Sequence, residues 1–250
     1  MELKKLNKFL DEYLKISEIE DVSVNGLQVE GKKEVNKICF AVDASLETFK
    51  LAKKENADML FVHHGMIWEG IKKVTGINYM RLKFLIENEI SLYATHLPLD
   101  KHLEVGNNIQ FLKIFGINKE IKEFGTYHGI KIGYAGRFEK EKNLSDFVSE
   151  VEKNLNTGCE ILKFGMTKIR SVGVVSGGAA SLIDEAIESV DCFVTGEPSH
   201  QVYHIAKEGK INVIFAGHYA TETLGVKAMA KLINKKFGIE TKFIDVPTGL

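Results

Sequence analysis

A short phrase occurs twice in this chain and closes the same way each time. Residues 90–100 read Ile-Ser-Leu-Tyr-Ala-Thr-His-Leu-Pro-Leu-Asp, and residues 211–222 read Ile-Asn-Val-Ile-Phe-Ala-Gly-His-Tyr-Ala-Thr-Glu. Each copy is an apolar run, a small residue, a histidine and, four positions on, a carboxylate: His96 with Asp100, His218 with Glu222. Each also has a matching lead-in, Asp58-Met-Leu-Phe-Val-His63-His64-Gly65 and Asp191-Cys-Phe-Val-Thr195-Gly196-Glu197. Both copies therefore set polar, metal-competent residues where a buried strand stops, which is where α/β folds carry their chemistry.

The order of elements supports a duplication. In the first half, a helix is expected from Leu3 to Leu14, then an extended Asn25-Gly-Leu-Gln-Val-Glu-Gly31 segment and a strand at Ile38–Val42. A helix capped by Ser45, a strand at Met59–Val62, a helix at Tyr79–Asn88, a strand at Ser91–Ala94 and a helix at Val105–Phe115 follow. The second half repeats the alternation, with strands at Val172–Val175, Cys192–Val194 and Val213–Ala216 and a helix expected from Glu222 to Lys235. Between the copies, Tyr127–Phe138 and Ile161–Phe164 read as strands and Leu144–Leu155 as helix. Strands alternating with helices imply a largely parallel sheet in each half. The expected fold is α/β, two similar domains related by internal duplication. We place them at 1–125 and 126–250, with an approximate boundary and a C-terminal segment that is able to cross over.

Composition narrows the function. With 44% hydrophobic and 27% charged residues, a packed core is expected and disorder is not. The formal net charge of -1 gives no global argument for nucleic acid or an anionic membrane. No apolar stretch is long enough to span a bilayer, and the Lys-rich amphipathic N-terminus lacks the apolar run of a signal peptide. Cys39, Cys159 and Cys192 are scattered and odd in number, which fits inert thiols in a reducing cytoplasm.

Five residues have ligand chemistry at expected strand ends: His63, His64, Asp100, His218 and Glu222. Histidines completing the spheres of two divalent ions around a shared carboxylate form a recurrent hydrolytic arrangement. Each residue also has a plainer reading. Neighbouring strand residues point to opposite faces, so His63 and His64 share one ion only if the strand has broken before Gly65; otherwise they reach two ions, or one caps and the other faces solvent. Asp100 and Glu222 serve equally as helix-start carboxylates. His96 matches His218 in the repeat and is read as a residue that orients a ligand, as are Glu197 and His200. His200 and His204 have the i,i+4 spacing of a helical metal pair but lack a Glu-x-x context, so a helix face is the simpler account. Ser176-Gly-Gly-Ala-Ala-Ser181 is either a phosphate-cradling turn or a tight strand-to-helix turn. No residue is singled out as the catalytic base.

Taken in order, Asn25-Gly-Leu-Gln-Val, His63-His64-Gly65 with Trp68, Thr95-His-Leu-Pro-Leu-Asp100, Thr195-Gly-Glu197 with His200, and Gly217-His218-Tyr-Ala-Thr-Glu222 resemble the Nif-three-like family, often labelled GTP cyclohydrolase 1 type 2 homologues. The resemblance runs nearly end to end and fits the short form without an inserted domain. It implies two α/β domains with a dinuclear metal centre in the cleft, ligated by those same five residues. It implies a homohexameric ring, and opening of the imidazole ring of GTP with loss of C8 as formate. The expectation is a cytoplasmic hydrolase with two divalent ions, Zn, Fe, Mn, Co or Ni, spaced roughly 3.5–4 Å apart. The alternative is a non-catalytic metal-containing ring that binds a protein partner or nucleic acid. Among apolar residues without an evident partner, Met66, Ile67 and Trp68 together with Phe111, Ile114 and Phe115, some are expected at contacts between subunits, the alternative, for Trp68 above all, being packing between the two domains of one chain.

Overall fold

The structure is a computed structural model describing residues 1–70 and 72–250. The first half of the chain forms α1 (Leu3–Leu14), β1 (Gly26–Val29), β2 (Lys37–Asp43), α2 (Leu46–Lys54), β3 (Met59–His64), α3 (Gly76–Glu87), β4 (Ser91–Ala94), α4 (Leu97–Lys101) and α5 (Asn107–Ile114). A long hairpin follows, β5 (Lys119–Tyr127) and β6 (Ile130–Asn143), with His128 and Gly129 both at positive φ in its turn. The second half forms α6 (Leu144–Leu155), β7 (Glu160–Lys163), β8 (Lys168–Val174), α7 (Ile183–Ser189), β9 (Cys192–Thr195), α8 (Val202–Gly209), β10 (Asn212–Phe215), α9 (His218–Phe237) and β11 (Glu240–Phe243). Among the described residues, no helix is long and apolar enough to cross a membrane.

These elements build two sheets. One has the order β1-β4-β3-β2-β11, the other β5-β6-β8-β9-β10-β7. Each contains three parallel strands, β2-β3-β4 and β8-β9-β10, with an antiparallel strand, β1 or β7, beside the last of them. In both halves that antiparallel strand is preceded by an amphipathic helix: α1 buries Leu3, Leu6, Leu10 and Leu14, and α6 buries Leu144, Phe147, Val148 and Val151. The duplication thus extends beyond the phrase that first shows it.

One device recurs at the strand starts. Asp58, just before β3, accepts from the backbone N–H groups of Asn36 (2.9 Å) and Lys37 (3.4 Å). Asp191, just before β9, accepts from those of Arg170 (2.9 Å) and Ser171 (2.8 Å). Each carboxylate closes the open end of the neighbouring parallel strand, and although burial opposes its charge, these donors (with the Lys32 ammonium for Asp58) hold both acids below their ordinary range.

The repeat differs from its sequence alignment by one step at the strand ends. Met59 pairs with Ser91, and Cys192 pairs with Asn212. Counting along β4 and β10 from those pairs brings His96 level with Gly217 and Leu97 level with His218. His96 therefore precedes α4, whereas His218 is the first residue of α9. The expected correspondences of His96 with His218 and of Asp100 with Glu222 are each displaced by one residue.

The chain groups into two compact units, Met1–Leu99 with Gly225–Val246, and Asp100–Leu224 with Pro247–Leu250. This division departs from one near residue 125 because chain segments return. β11 adds in parallel to β2 of the first unit, and β5, which starts before residue 125, pairs antiparallel with β6 of the second unit. The first unit packs Phe49, Leu60, Val62, Leu85 and Leu92 in its core, and the second packs Phe111, Phe115, Phe147, Val172 and Ile214. Phe111 and Phe115 are thus interior residues of the second unit, with rings edge-on to Phe147. This removes them from the expected subunit-contact patch and leaves Ile114 exposed there.

Candidate metal centre

In the first unit, the backbone stays extended through His64, so β3 does not break before the histidine pair as the shared-ion reading required. Even so, one ligand atom from each of His63, His64 and His96 lies within 4.8 Å of the others. An imidazole reaches far enough from the backbone for these atoms to approach past the strand's end. His63 is wholly buried, His64 and His96 partly so.

Each of these rings has an oxygen at Nδ1. His63 Nδ1 lies 2.9 Å from the Thr95 carbonyl, His64 Nδ1 2.8 Å from Asp43 Oδ1, and His96 Nδ1 3.0 Å from Asp21 Oδ1. A carbonyl only accepts, so His63 donates from Nδ1; the carboxylates beside His64 and His96 likewise accept from Nδ1, so any lone pair these rings offer a metal is on Nε2. Asp43 is the direct register partner of His64 on the neighbouring strand. Asp21 has a side chain only 1% exposed. It also accepts from Asn25 Nδ2 and from the N–H groups of Ser23 and Leu97. Burial alone would raise its pKa; the bonds and charge of His96, with Asn25 and Ser23, outweigh it and hold the carboxyl at about 2.

The Asn25-Gly-Leu-Gln-Val segment is a scaffold for this cluster. Asn25 Oδ1 accepts from the His96 N–H at 2.8 Å, and Gln28 Oε1 accepts from the Met66 N–H at 2.7 Å. A side chain at Gly65 would collide with Gln28 and Ala94, so only glycine lets the loop after the histidines fold back. Met66 packs against the first unit's core. Trp68 donates to the Gly65 carbonyl and sets its ring edge-on to His96 at 5.1 Å. Both residues thus have partners inside the first unit.

In the second unit, α9 begins at His218 rather than at Glu222, which places Glu222 one turn inside the helix and 2% exposed. That position is beyond the helix start, so the capping account fails for it. His218 Nε2 lies 3.1 Å from Glu222 Oε1, and Nδ1 lies 2.6 Å from Glu197 Oε1. Burial disfavours a charged His218, but the bonds and charges of Glu222 and Glu197 prevail and push its pKa up to about 9. Asp100, 5% exposed, accepts at Oδ1 from Asn107 Nδ2 and Ser176 Oγ, both at 2.8 Å. The Ser176-Gly-Gly turn proves to be a close-approach turn: Gly177 has φ +68, and a side chain there would strike the Glu222 carboxylate. His200 and His204 are exposed and belong to no group of three or more convergent His, Cys, Asp or Glu ligands among the described residues.

The donor types, imidazoles backed by oxygen acceptors and buried carboxylates, suit borderline divalent cations such as Zn, Fe, Co, Ni and Mn. Sequence reasoning missed Asp21, Asp43 and Asn107, and it read Ser176 only as part of a turn, without its bond to Asp100. Asp43 left a readable sign, a carboxylate closing an apolar strand next to the one that ends in His64. Asp21 left none, because its partner His96 is 75 residues away.

The comparisons with known proteins agree with this architecture. A family model for Duf34/NIF3 (NGG1p interacting factor 3) matches residues 1–249. A protein of Pyrococcus abyssi named GTP cyclohydrolase 1 type 2 homolog is 51% identical, with 100% of each chain covered. A protein of the same name from Archaeoglobus fulgidus is 48% identical over 100% of each chain. Among solved structures, a protein from Thermus thermophilus has a TM-score of 0.92 at 39% identity over 100% of each chain. Reduced HcgD from Methanocaldococcus jannaschii has a TM-score of 0.87 at 27% identity over 98% of each chain. The chain belongs to the Duf34/NIF3 family.

Proposed function

We propose that this protein is a divalent-metal-dependent hydrolase whose two ions are held by His63, His64, Asp100, His218 and Glu222. The observation that carries the reading is the common arrangement of its histidines. His63, His64, His96 and His218 each have an oxygen at Nδ1 within 3.0 Å. Such acceptors fix the ring and raise its basicity as a ligand. A divalent ion at such a centre supplies Lewis acidity and lowers the pKa of water.

The chain's own residues orient that chemistry. Thr95, Asp43 and Glu197 hold the ligand imidazoles, Asn107 and Ser176 hold Asp100, and Asp21 holds His96 beside His63 and His64. The relatives' name, GTP cyclohydrolase 1 type 2 homolog, supports GTP as substrate, with hydrolytic opening of the guanine imidazole ring and release of C8 as formate. Purified protein supplied with Zn, Mn or Fe should release formate from GTP. Absence of turnover across a nucleotide panel, together with salt-sensitive binding of DNA or RNA, would replace this reading with a non-catalytic ring.

We further propose a homohexamer. α3 supports self-association: it buries Leu85 but exposes Ile77, Tyr79, Met80 and Ile86. A cytoplasmic setting is supported by the free thiols of Cys39, Cys159 and Cys192; burial raises all three, Cys39 to about 11 and Cys159 to about 12.

A further inference from the structure

The second unit carries a cleft of about 470 Å³ that none of the metal chemistry uses. Its apolar lining comes from Leu162 on β7 and Phe215 at the end of β10, while the neighbouring Ile161 turns its side chain to the core. Its rim is aromatic and polar. Tyr203 on α8 is 43% exposed, yet its ring is fixed, edge-on to Phe164 at 5.3 Å and 89° and to His204 at 5.3 Å and 84°. An aromatic ring held in place while much of it faces solvent is a stacking platform. Glu160 also lines the cleft; it is the register partner of Phe215 in the antiparallel β7–β10 pair, so the two side chains share one face of the sheet. The Glu160 carboxylate makes no hydrogen bond or ion pair among the described residues, which leaves it available to a ligand. The volume falls within the range of small-molecule pockets, ~300–1,000 Å³.

This cleft adjoins the metal residues along the chain. Pro198, in its wall, follows Glu197, which bonds His218, and Phe215 lies three residues before His218.

We infer that the cleft takes the purine base of a nucleotide, with Tyr203 stacking on the ring and Glu160 accepting from the N1–H and N2 amino groups of guanine. The choice of guanine among planar heterocycles rests on the GTP-directed function proposed above; the ring pocket itself rests on the geometry. Adenine offers Glu160 no such pair of donors, so the carboxylate also discriminates.

The test uses EDTA-treated full-length protein and isothermal titration with guanosine and adenosine, so the result does not depend on metal loading or turnover. Guanosine should bind saturably and more tightly than adenosine. Tyr203→Ala should weaken both by about tenfold or more. Glu160→Gln should weaken guanosine alone and close the gap to adenosine. Metal content measured on the same variants should match the wild type, which shows that they fold and that the centre is intact. No saturable binding of guanosine at millimolar concentration would overturn the inference, as would guanosine binding unchanged in both variants. A change in sedimentation with Tyr203→Ala, without any change in guanosine binding, would reassign the cleft to a subunit contact. Failure of the GTP turnover assay leaves this result readable, because base binding and formate release are measured separately.

Discussion

Glu197 is the residue whose removal separates orienting a ligand from supporting the fold. Its carboxylate sits 2.6 Å from His218 Nδ1, and its side chain is 45% exposed. An ion pair with that much solvent contact contributes little to folding, about 0–1 kcal/mol. Loss of an acceptor behind a metal-binding imidazole typically costs about 10- to 100-fold in metal affinity, or roughly 1.4–2.8 kcal/mol. Glu197→Ala should therefore weaken metal binding by one to two orders of magnitude, as measured by chelator competition, with almost no change in thermal stability of the metal-free protein. Glu197→Gln keeps an oxygen acceptor and should lose less. The metal-free protein gives an independent check. Burial opposes the charged ring, yet Glu222 and Glu197 bring His218 from an ordinary 6.5 to about 9. A raised folded-state pKa contributes stability that is complete below about 6.5 and is lost as pH rises through about 9. Without Glu197 the His218 midpoint, followed by NMR, should fall below that of the wild type. Equal metal affinity in wild type, Gln and Ala forms would refute the orienting role.

Three further outcomes follow from the same geometry. Asp21, lowered from 3.8 to about 2, contributes roughly 2 kcal/mol at ~1.4 kcal/mol per tenfold; that stability is present above about 4 and is lost as pH falls towards about 2, so Asp21→Asn should flatten the acid limb of a denaturant-unfolding series. Phe147 is wholly buried among Phe111, Phe115 and Phe138, and Phe147→Ala should cost about 3–5 kcal/mol of stability measured by denaturant unfolding. Light scattering at micromolar protein should show a closed oligomer about six times the 28.0 kDa chain, and replacing Ile77 and Met80 with charged residues should shift it to smaller species if α3 forms the contact.

Local pattern made much of the fold legible. The Leu3-Leu6-Leu10-Leu14 stripe marks α1 to its observed ends, and Ser45 caps α2 by accepting from the Thr48 N–H. Short apolar runs located all six core parallel strands. What was not legible is set by pairing between distant segments. The one-residue displacement of His96 against His218 depends on cross-strand register, which composition does not encode. The placement of β11 beside β2 depends on which sheet edge is open. Phe111 and Phe115 looked unpartnered because their partners on α6 lie over thirty residues away. Candidate ligands were visible as residue types at strand ends, whereas Asp21 and Asp43 behind them became visible only once the strands were in place.

The metal assignment itself is tested most directly by counting ions. Wild-type protein loaded with Zn or Mn and passed through a desalting column should retain two ions per chain by elemental analysis, and Glu222→Ala, folded by circular dichroism, should lose most of that metal. Anomalous scattering from the wild type should place both ions on His63, His64, Asp100, His218 and Glu222. Full metal occupancy in Glu222→Ala, or anomalous peaks away from these five residues, would contradict the account.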